Sequence, residues 1–436
     1  MVKDFYSDIK KNVELVAWLQ NPDIGWGAED SAFCGALGCH NELSSSNIHA
    51  EEHLKKGYDK EKERIFKETS GRGHGAVLDQ SSFAFSIDNL TRASTLFLCT
   101  PQYASHLQQT LRKVSAERGF YLPESLVSTP AKKLMEAQFE LYEEMKLGGI
   151  PPEDARYILP LYTKTTIQTL VNARELMHLD SMVKREGVPY EVKETIEEMV
   201  NLAKEKAPNL MKDRENNYET LAWLPSSQLY SHSNNTINTI LDDKKFNCDP
   251  IYSLGYSGIP MSQDAIKNAV INRDETELAN LKHYHFTFLA SMSLASFHQS
   301  TRQRTWDQSI QPIRESIKSG AWITPPSIEG TAFENKYHEL VKSTLNFVNK
   351  NIDYPDYLGI VPHSLHSYDL IHVNGWNAIH SIGKRTCTKA QWEIRTIAKG
   401  MVKSIKKYSP ELGDYCGPQG KVYGKCPERN SCGICR

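Results

Sequence analysis

The sequence predicts an α+β protein made of two tandem copies of one domain, each a mixed sheet with packed helices, followed by a small four-cysteine tail. Three observations carry this: landmarks that recur in the same order in both halves, strand-like alternation beside helix-like spacing, and cysteines crowded at the C-terminus.

The repeat is read from spacing, which comes before any local assignment. Pro160, Asn172 and Glu191 share both separations with Pro362, Asn374 and Glu393. Val171-Asn172-Ala173-Arg174 and His178 match Val373-Asn374-Gly375-Trp376 and His380. Ala17-Trp18-Leu19 resembles Ala222-Trp223-Leu224, Phe83-Ala84-Phe85 resembles Phe286-Thr287-Phe288, and Tyr121-Leu122-Pro123 falls where Ile323-Thr324-Pro325 does. The charged stretch Lys212 to Asn217 marks the boundary, which gives repeats at 1–213 and 214–410 and a tail at 411–436.

Phe83, Phe85 and Ile87 alternate as in a half-buried strand, and the aromatic and β-branched run Tyr284 to Phe288 predicts another. Helical apolar spacing covers Ala131 to Lys146, Phe333 to Asn349, Thr166 to Val183 and Lys389 to Ile405.

The 436 residues are 39% hydrophobic and 24% charged with a net charge of -2, and the mean hydropathy is -0.50. A globular chain with no long single-sign block gives no expectation of nucleic acid or anionic membrane as a partner. Lys3, Asp4, Lys10, Lys11 and Glu14 interrupt the N-terminal apolar residues, so no signal peptide is expected and the cytoplasm is the default location. The most apolar window, Tyr284 to Phe297, is too short to span a bilayer.

In the second half, His298-Gln299-Ser300-Thr301-Arg302-Gln303-Arg304 resembles the His-Gln-Leu-x-Arg-His-Arg segment of the flavin-dependent thymidylate synthases, with Gln303 replacing the central His. Ala390-Gln391-Trp392-Glu393-Ile394-Arg395 matches a second family segment. In the first half the Arg-His-Arg equivalent is Thr100-Pro101-Gln102, without charge. Beyond it, Ser105, Gln108, Gln109, Thr110 and Arg112 resemble the family's nucleotide-binding series, with Thr110 in place of Ser. Gly73-His74, Thr91-Arg92-Ala93, Ala155-Arg156-Tyr157-Ile158-Leu159-Pro160 and Asn172-Ala173-Arg174 resemble further family features. The resemblance spans residues 13 to 408 in two passes, so each repeat is expected to be a domain of the thymidylate-synthase-complementing type.

That resemblance implies FAD-dependent reductive methylation of dUMP to dTMP, with methylenetetrahydrofolate as carbon donor and NADPH as reductant. An arginine beside a hydroxyl supplies charge-assisted and neutral hydrogen bonds to a phosphate. Ser105, Gln108, Gln109, Thr110 and Arg112 are therefore expected to bind the nucleotide. By resemblance Arg174 contacts the pyrimidine and is the catalytic group, stabilising charge as the ring is attacked. Trp376 stands at its counterpart position and reads as packing. Arg302, Gln303 and Arg304 are expected at the flavin, and His74 at flavin or folate.

Since family members assemble sites between subunits of a tetramer, the split signature implies a composite site shared by the repeats and a homodimer that mimics the tetramer. Two alternatives stand beside this reading: a related flavin-dependent modification of another pyrimidine nucleotide, and a non-catalytic nucleotide- or flavin-binding paralogue.

Cys416, Cys426, Cys432 and Cys435 lie among glycines and prolines that allow tight turns, a pattern suited to a tetrahedral structural zinc. An iron-sulfur cluster, a redox disulfide or a disordered end are the other readings. Cys34, Cys39 and His40 read as loop packing, and Cys99, Cys248 and Cys387 as buried small residues.

Overall fold

A computed structural model of the chain describes residues 5–6, 9–212, 228–243, 249–259 and 261–433. It divides into two compact units, Met1–Pro225 with Asn335–Pro362, and Ser226–Glu334 with His363–Arg436.

In the first unit, β1 (Asn12–Trp18), β2 (Ser82–Thr91), β3 (Ser105–Gln108) and β4 (Lys164–Asn172) form a four-stranded sheet in the order β1-β2-β4-β3. In the second, β5 (Ile251–Gly258), β6 (Tyr284–Ser293), β7 (Asp307–Ile310) and β8 (His366–Asn374) repeat that order as β5-β6-β8-β7. Every strand pair is antiparallel, which corrects the expected mixed sheet.

Each sheet buries one face, as alternation requires of an antiparallel sheet covered on one side. Phe83, Phe85 and Ile87 point into the first core, and Phe286, Phe288 and Ile371 into the second. The helix Tyr190–Lys206 packs on β1 and β2, and the helix Trp392–Tyr408 on β5 and β6.

The register proves the duplication in atomic terms. Phe83 pairs with Val171 and Phe286 with Val373. Tyr121 N donates to Tyr162 O (3.0 Å) and Ile323 N to Ser364 O (2.9 Å). Asn172 caps the helix Ala173–Val183 by accepting from Glu175 N, and Asn374 caps its own helix by accepting from Asn377 N. Both first strands carry a bulge at the same place, between Leu15 and Ala17 and between Ser253 and Gly255. β2 alone has a second bulge between Ile87 and Leu90, where Asn89 takes a left-handed φ of 56°. A side-chain amide tolerates that conformation better than most residues.

The same register corrects two sequence expectations. Ala17 lies opposite Ala84, and Gly255 opposite Thr287, so the counterpart of Ala17 is Gly255 rather than Ala222. Ala222, Trp223 and Leu224 lie outside the described residues. The stretch Thr166 to Asn172 is strand, not helix, and the helix begins only at Ala173. Thr165, Ile167, Thr169 and Val171 point to the buried face at period two, and β-branched side chains favour that pleated setting.

The other three helical expectations hold with small shifts: Ala131–Leu147, Glu334–Lys350 and Trp392–Tyr408. The last starts late because Gln391 caps it, accepting from Glu393 N and Ile394 N. Cys34 lies on the helix Asp30–Gly38 rather than in a loop, buried, and burial pushes its thiol up to about 12. Cys99 is buried and Cys387 half-buried; Cys248 lies outside the described residues.

A segment of the second repeat belongs to the first unit. Leu161 N donates to Val361 O (3.0 Å), Tyr162 N to Gly359 O (2.8 Å), and the Gln138 amide to Ile360 O (3.2 Å). The Tyr162 ring lies so close to Gly359 that a Cβ there would sit 2.1 Å from it, so only glycine fits. Among the described residues, no helix is long and apolar enough to cross a membrane.

Candidate functional site

Of the nucleotide-binding candidates of the first unit, Gln108 and Gln109 lie where β4 begins, with Thr110 and Arg112 following, while Ser105 pairs with Leu170 near the other end of β4. Gln109 N donates to Thr166 O (3.0 Å), which fixes the segment after β3 against β4. Thr110 Oγ1 accepts from Arg112 N (3.2 Å), and Arg112 Nε donates to Glu153 Oε2 at 2.8 Å. Ser105 is exposed on the edge strand and Gln108 is half-buried.

Two arginines without an assigned role in the sequence join this group. Thr91 caps the helix Arg92–Leu98 and so aims Arg92, whose Nη2 donates to Gln109 O (2.8 Å). Arg156 Nε donates to Glu153 O (3.1 Å). Arg92 is 5% exposed and Arg156 8%. Burial depresses both pKa values, and the charge of Arg156 lowers that of Arg92 further. A guanidinium keeps its proton even so. Arg92 Nε and Arg156 Nη2 are buried with no hydrogen-bond partner among the described residues. Buried donors left unpaired are costly. Three neighbouring cations, Arg92, Arg112 and Arg156, face two carboxylates, Glu153 and Asp154, and an anion would complete the set.

Arg174 and His74 lie elsewhere. Arg174 follows the C-terminal end of β4, where its Nη1 meets Asp79 Oδ2 at 3.1 Å, and Asp79 also accepts from the Asn172 amide (3.0 Å). Exposed His74 precedes Gly75, and a Cβ on Gly75 would sit 3.0 Å from Arg174 Cζ. Gln109 pairs beside Thr166, so six residues of strand at about 3.3 Å each put roughly 20 Å between the two groups. Within this unit, Arg174 and Thr110 do not reach one mononucleotide.

In the second unit, Arg302 and Arg304 are exposed on the turn between the helix Leu294–Ser300 and β7. Gln303 turns the other way. With its amide oriented by its surroundings, Gln303 Oε1 accepts from Arg385 Nε (2.8 Å) and Nη2 (2.6 Å). Trp376 stacks on His380 with ring centroids 5.6 Å apart. On the open face of this sheet, His372 bridges Asp307 (Nδ1 to Oδ2, 2.8 Å) and His285 (Nε2 to Nδ1, 3.1 Å).

The donor set around Arg302 and Arg304 fits a flavin that carries phosphate. The turn presents the two cations on either side of Gln303, with Arg385 against Gln303 and Asp307 as the acid of the segment.

Three of the four tail cysteines, Cys416, Cys426 and Cys432, fall among the described residues. Among the described residues, no three His, Cys, Asp or Glu side chains converge as metal ligands. Cys416 is fully buried, its Sγ donates to Leu412 O (3.3 Å), and burial pushes its thiol pKa up. Cys426 is half-buried, Cys432 exposed, and Cys435 lies outside the described residues.

Comparison with known proteins places these features in a family. The sequence profile described as Thymidylate synthase complementing protein matches residues 32–209 and 248–411. A protein of Geobacter sulfurreducens named flavin-dependent thymidylate synthase is 34% identical over 149 residues, covering 32% of this chain and 64% of the relative. One of the same name from Thermococcus onnurineus is 32% identical over 140 residues, covering 30% and 57%. The chain thus spans a little under two thirds of the length of these relatives. A solved UMP/dUMP methylase from Streptomyces cacaoi overlays with a TM-score of 0.37 at 20% identity, covering 49% of this chain and 96% of that one. The chain belongs to the thymidylate synthase complementing protein family, as a member in which the family domain occurs twice in tandem.

Proposed function

We propose that this protein is a flavin-dependent methyltransferase that converts dUMP to dTMP, using FAD, methylenetetrahydrofolate and NADPH. The carrying observation is the buried pair Arg92 and Arg156 beside Gln109, Thr110 and Arg112, with donors left without partners among the described residues. A nucleotide phosphate is the ligand whose charge and acceptor geometry would satisfy them. The relatives named flavin-dependent thymidylate synthase support the reading.

Arg302 and Arg304 would hold the flavin, and His74 would stand at the flavin or folate. The flavin supplies the redox chemistry once bound, and the protein orients substrates and sets the local field. Arg174, too far from Thr110 of its own unit to share one nucleotide with it, would steady negative charge on a pyrimidine whose phosphate another copy of the chain holds. The division of contacts, nucleotide donors in the first repeat and the arginine pair in the second, belongs to this proposal, as does a homodimer that carries four copies of the domain.

The reading is tested by titrating the purified protein with dUMP and with FAD. Wild type should bind both, Arg156→Ala should lose dUMP affinity while keeping FAD, and Arg304→Ala should do the reverse. Equal loss of both ligands in either variant would contradict the division, and no dUMP binding by the folded wild type would overturn the function.

A further inference from the structure

We propose that Asn377, Ser381 and Arg385 are positioning residues, a ladder on one helix face that fixes the Arg302–Arg304 turn for a phosphate-bearing flavin. The inference rests on the reading of Arg302 and Arg304 as flavin contacts and adds what holds them.

The three residues are four apart on the helical run from Gly375 to Arg385, which contains a π turn at Ala378–Ile382. Residues four apart share a helix face, and single π turns recur at functional sites. Each rung holds a different residue of the turn. Asn377 Oδ1 accepts from Thr305 Oγ1 (2.6 Å) while Asn377 Nδ2 donates to Thr305 O (3.1 Å). Ser381 Oγ accepts from Trp306 Nε1 (2.6 Å) and donates to Asn377 O (2.6 Å), which ties two rungs together. Arg385 grips Gln303 through two N–H groups. Asn377, Ser381 and Trp306 are all buried.

Side chains 303, 305 and 306 are thus committed to the helix, and the exposed arginines flank Gln303 on that fixed backbone. An arginine on a loose loop loses much conformational freedom when it binds; on a fixed turn that loss is made in folding instead.

The first repeat supplies an internal control. Shared register puts Pro101, Tyr103 and Ala104 where Gln303, Thr305 and Trp306 stand, and Glu175, Leu179 and Val183 where the ladder stands. Pro101 with Val183 and Ala104 with Leu179 cannot form side-chain hydrogen bonds, Glu175 has no amide to donate to the Tyr103 carbonyl, and Thr100 and Gln102 stand in place of the flanking arginines. Ladder and arginine pair occur together in one repeat and are both missing from the other. The ladder also gives Gln303 a role: its carbonyl oxygen takes both donors of the Arg385 fork.

The test is a double-mutant cycle on FAD affinity, read by quenching of flavin fluorescence with the full-length protein. Arg385→Lys keeps the charge but removes the fork. It should weaken FAD binding about 10-fold alone and have almost no effect in a background with both Arg302→Ala and Arg304→Ala, because it acts through those arginines. Trp306→Phe, which keeps the buried ring and deletes one rung, should weaken FAD severalfold with the same dependence on the arginine pair. If Arg304→Ala weakens FAD but Arg385→Lys and Trp306→Phe bind as wild type, or if the effects add, the ladder is overturned and the flavin reading survives. If Arg304→Ala binds FAD as tightly as wild type, the flavin reading falls and the ladder with it.

Discussion

Glu393 Oε2 accepts a 2.6 Å hydrogen bond from Ser293 Oγ, while Glu393 Oε1 accepts from Ser293 N at 2.6 Å. The first repeat builds the same pair: Glu191 Oε2 accepts from Thr91 Oγ1 at 2.6 Å and Glu191 Oε1 from Thr91 N at 3.3 Å. Both glutamates are buried in the first turn of a long helix, and both partners cap the helix that follows the second strand. Each carboxylate therefore pins two helix starts together. Hydrogen bonds to a charged acceptor contribute about 1.5–3 kcal/mol each. Glu393→Gln should destabilise by about 2 kcal/mol, and Glu191→Gln by a similar amount, measured by urea unfolding. A change under 0.5 kcal/mol in both would show that the pinning is not structural.

Arg156 separates stability from binding. Its buried guanidinium keeps one donor unpaired among the described residues, and an apolar side chain of similar length removes that cost. Arg156→Met should leave the ligand-free melting temperature unchanged or raise it, while dUMP affinity falls roughly 30-fold or more, equivalent to about 2 kcal/mol. A lower melting temperature with intact dUMP binding would assign Arg156 to the scaffold instead.

Two groups of the second unit, half-buried His366 and fully buried Asp369, give opposite pH dependences. Burial lowers the His366 pKa from 6.5 to about 4, so below 6.5 the unfolded chain takes a proton that the folded one refuses. Its contribution is present above 6.5 and is lost as pH falls toward 4. Burial raises the Asp369 carboxyl from 3.8 to about 7, opposed by a hydrogen bond from Gln308. The folded state holds that proton after the unfolded chain has released it, so stability is lost as pH rises from 3.8 to 7. The two slopes oppose each other in the wild type. Asp369→Asn should therefore be more stable than wild type at pH 8, and its stability should fall more steeply on acidification between pH 6.5 and 4. His366→Gln should show the reverse slope. Parallel profiles for all three proteins would refute both assignments.

Gly75 controls the seat of Arg174. An added Cβ would lie 3.0 Å from Arg174 Cζ and Nε, and the side chain's end can swing away at little cost to the fold. Gly75→Ala should keep stability within about 1 kcal/mol yet break the contact between Arg174 and Asp79. Turnover should fall more than dUMP affinity; unchanged turnover would remove Arg174 from the chemistry.

The repeat was legible because polar residues with backbone duties kept their places: Asn172 and Asn374 as caps, and Glu191 and Glu393 as pins. The strand over Thr166 to Asn172 was misread because it runs straight into a helix and its apolar positions also fit a 3.6-residue period. Ala222 misled because β5 aligns through its bulge at Gly255, a feature of pairing rather than of composition. Arg92 and Arg156 sat inside segments that resembled the family, but a lone arginine carries no sign of burial. The ladder spacing at Asn377, Ser381 and Arg385 was visible, whereas its partners on the turn are fixed only by tertiary packing. The cysteine tail had suggestive spacing, and one of its four cysteines, Cys435, lies outside the described residues.

The central claim is that the duplicated chain makes dTMP. Anaerobic incubation of the purified protein with FAD, NADPH, methylenetetrahydrofolate and dUMP, followed by nucleotide chromatography, tests it most directly. The account predicts dTMP formed in proportion to NADPH consumed, abolished by Arg156→Ala and by Arg304→Ala. A folded protein that binds flavin and dUMP and yields no dTMP would contradict it.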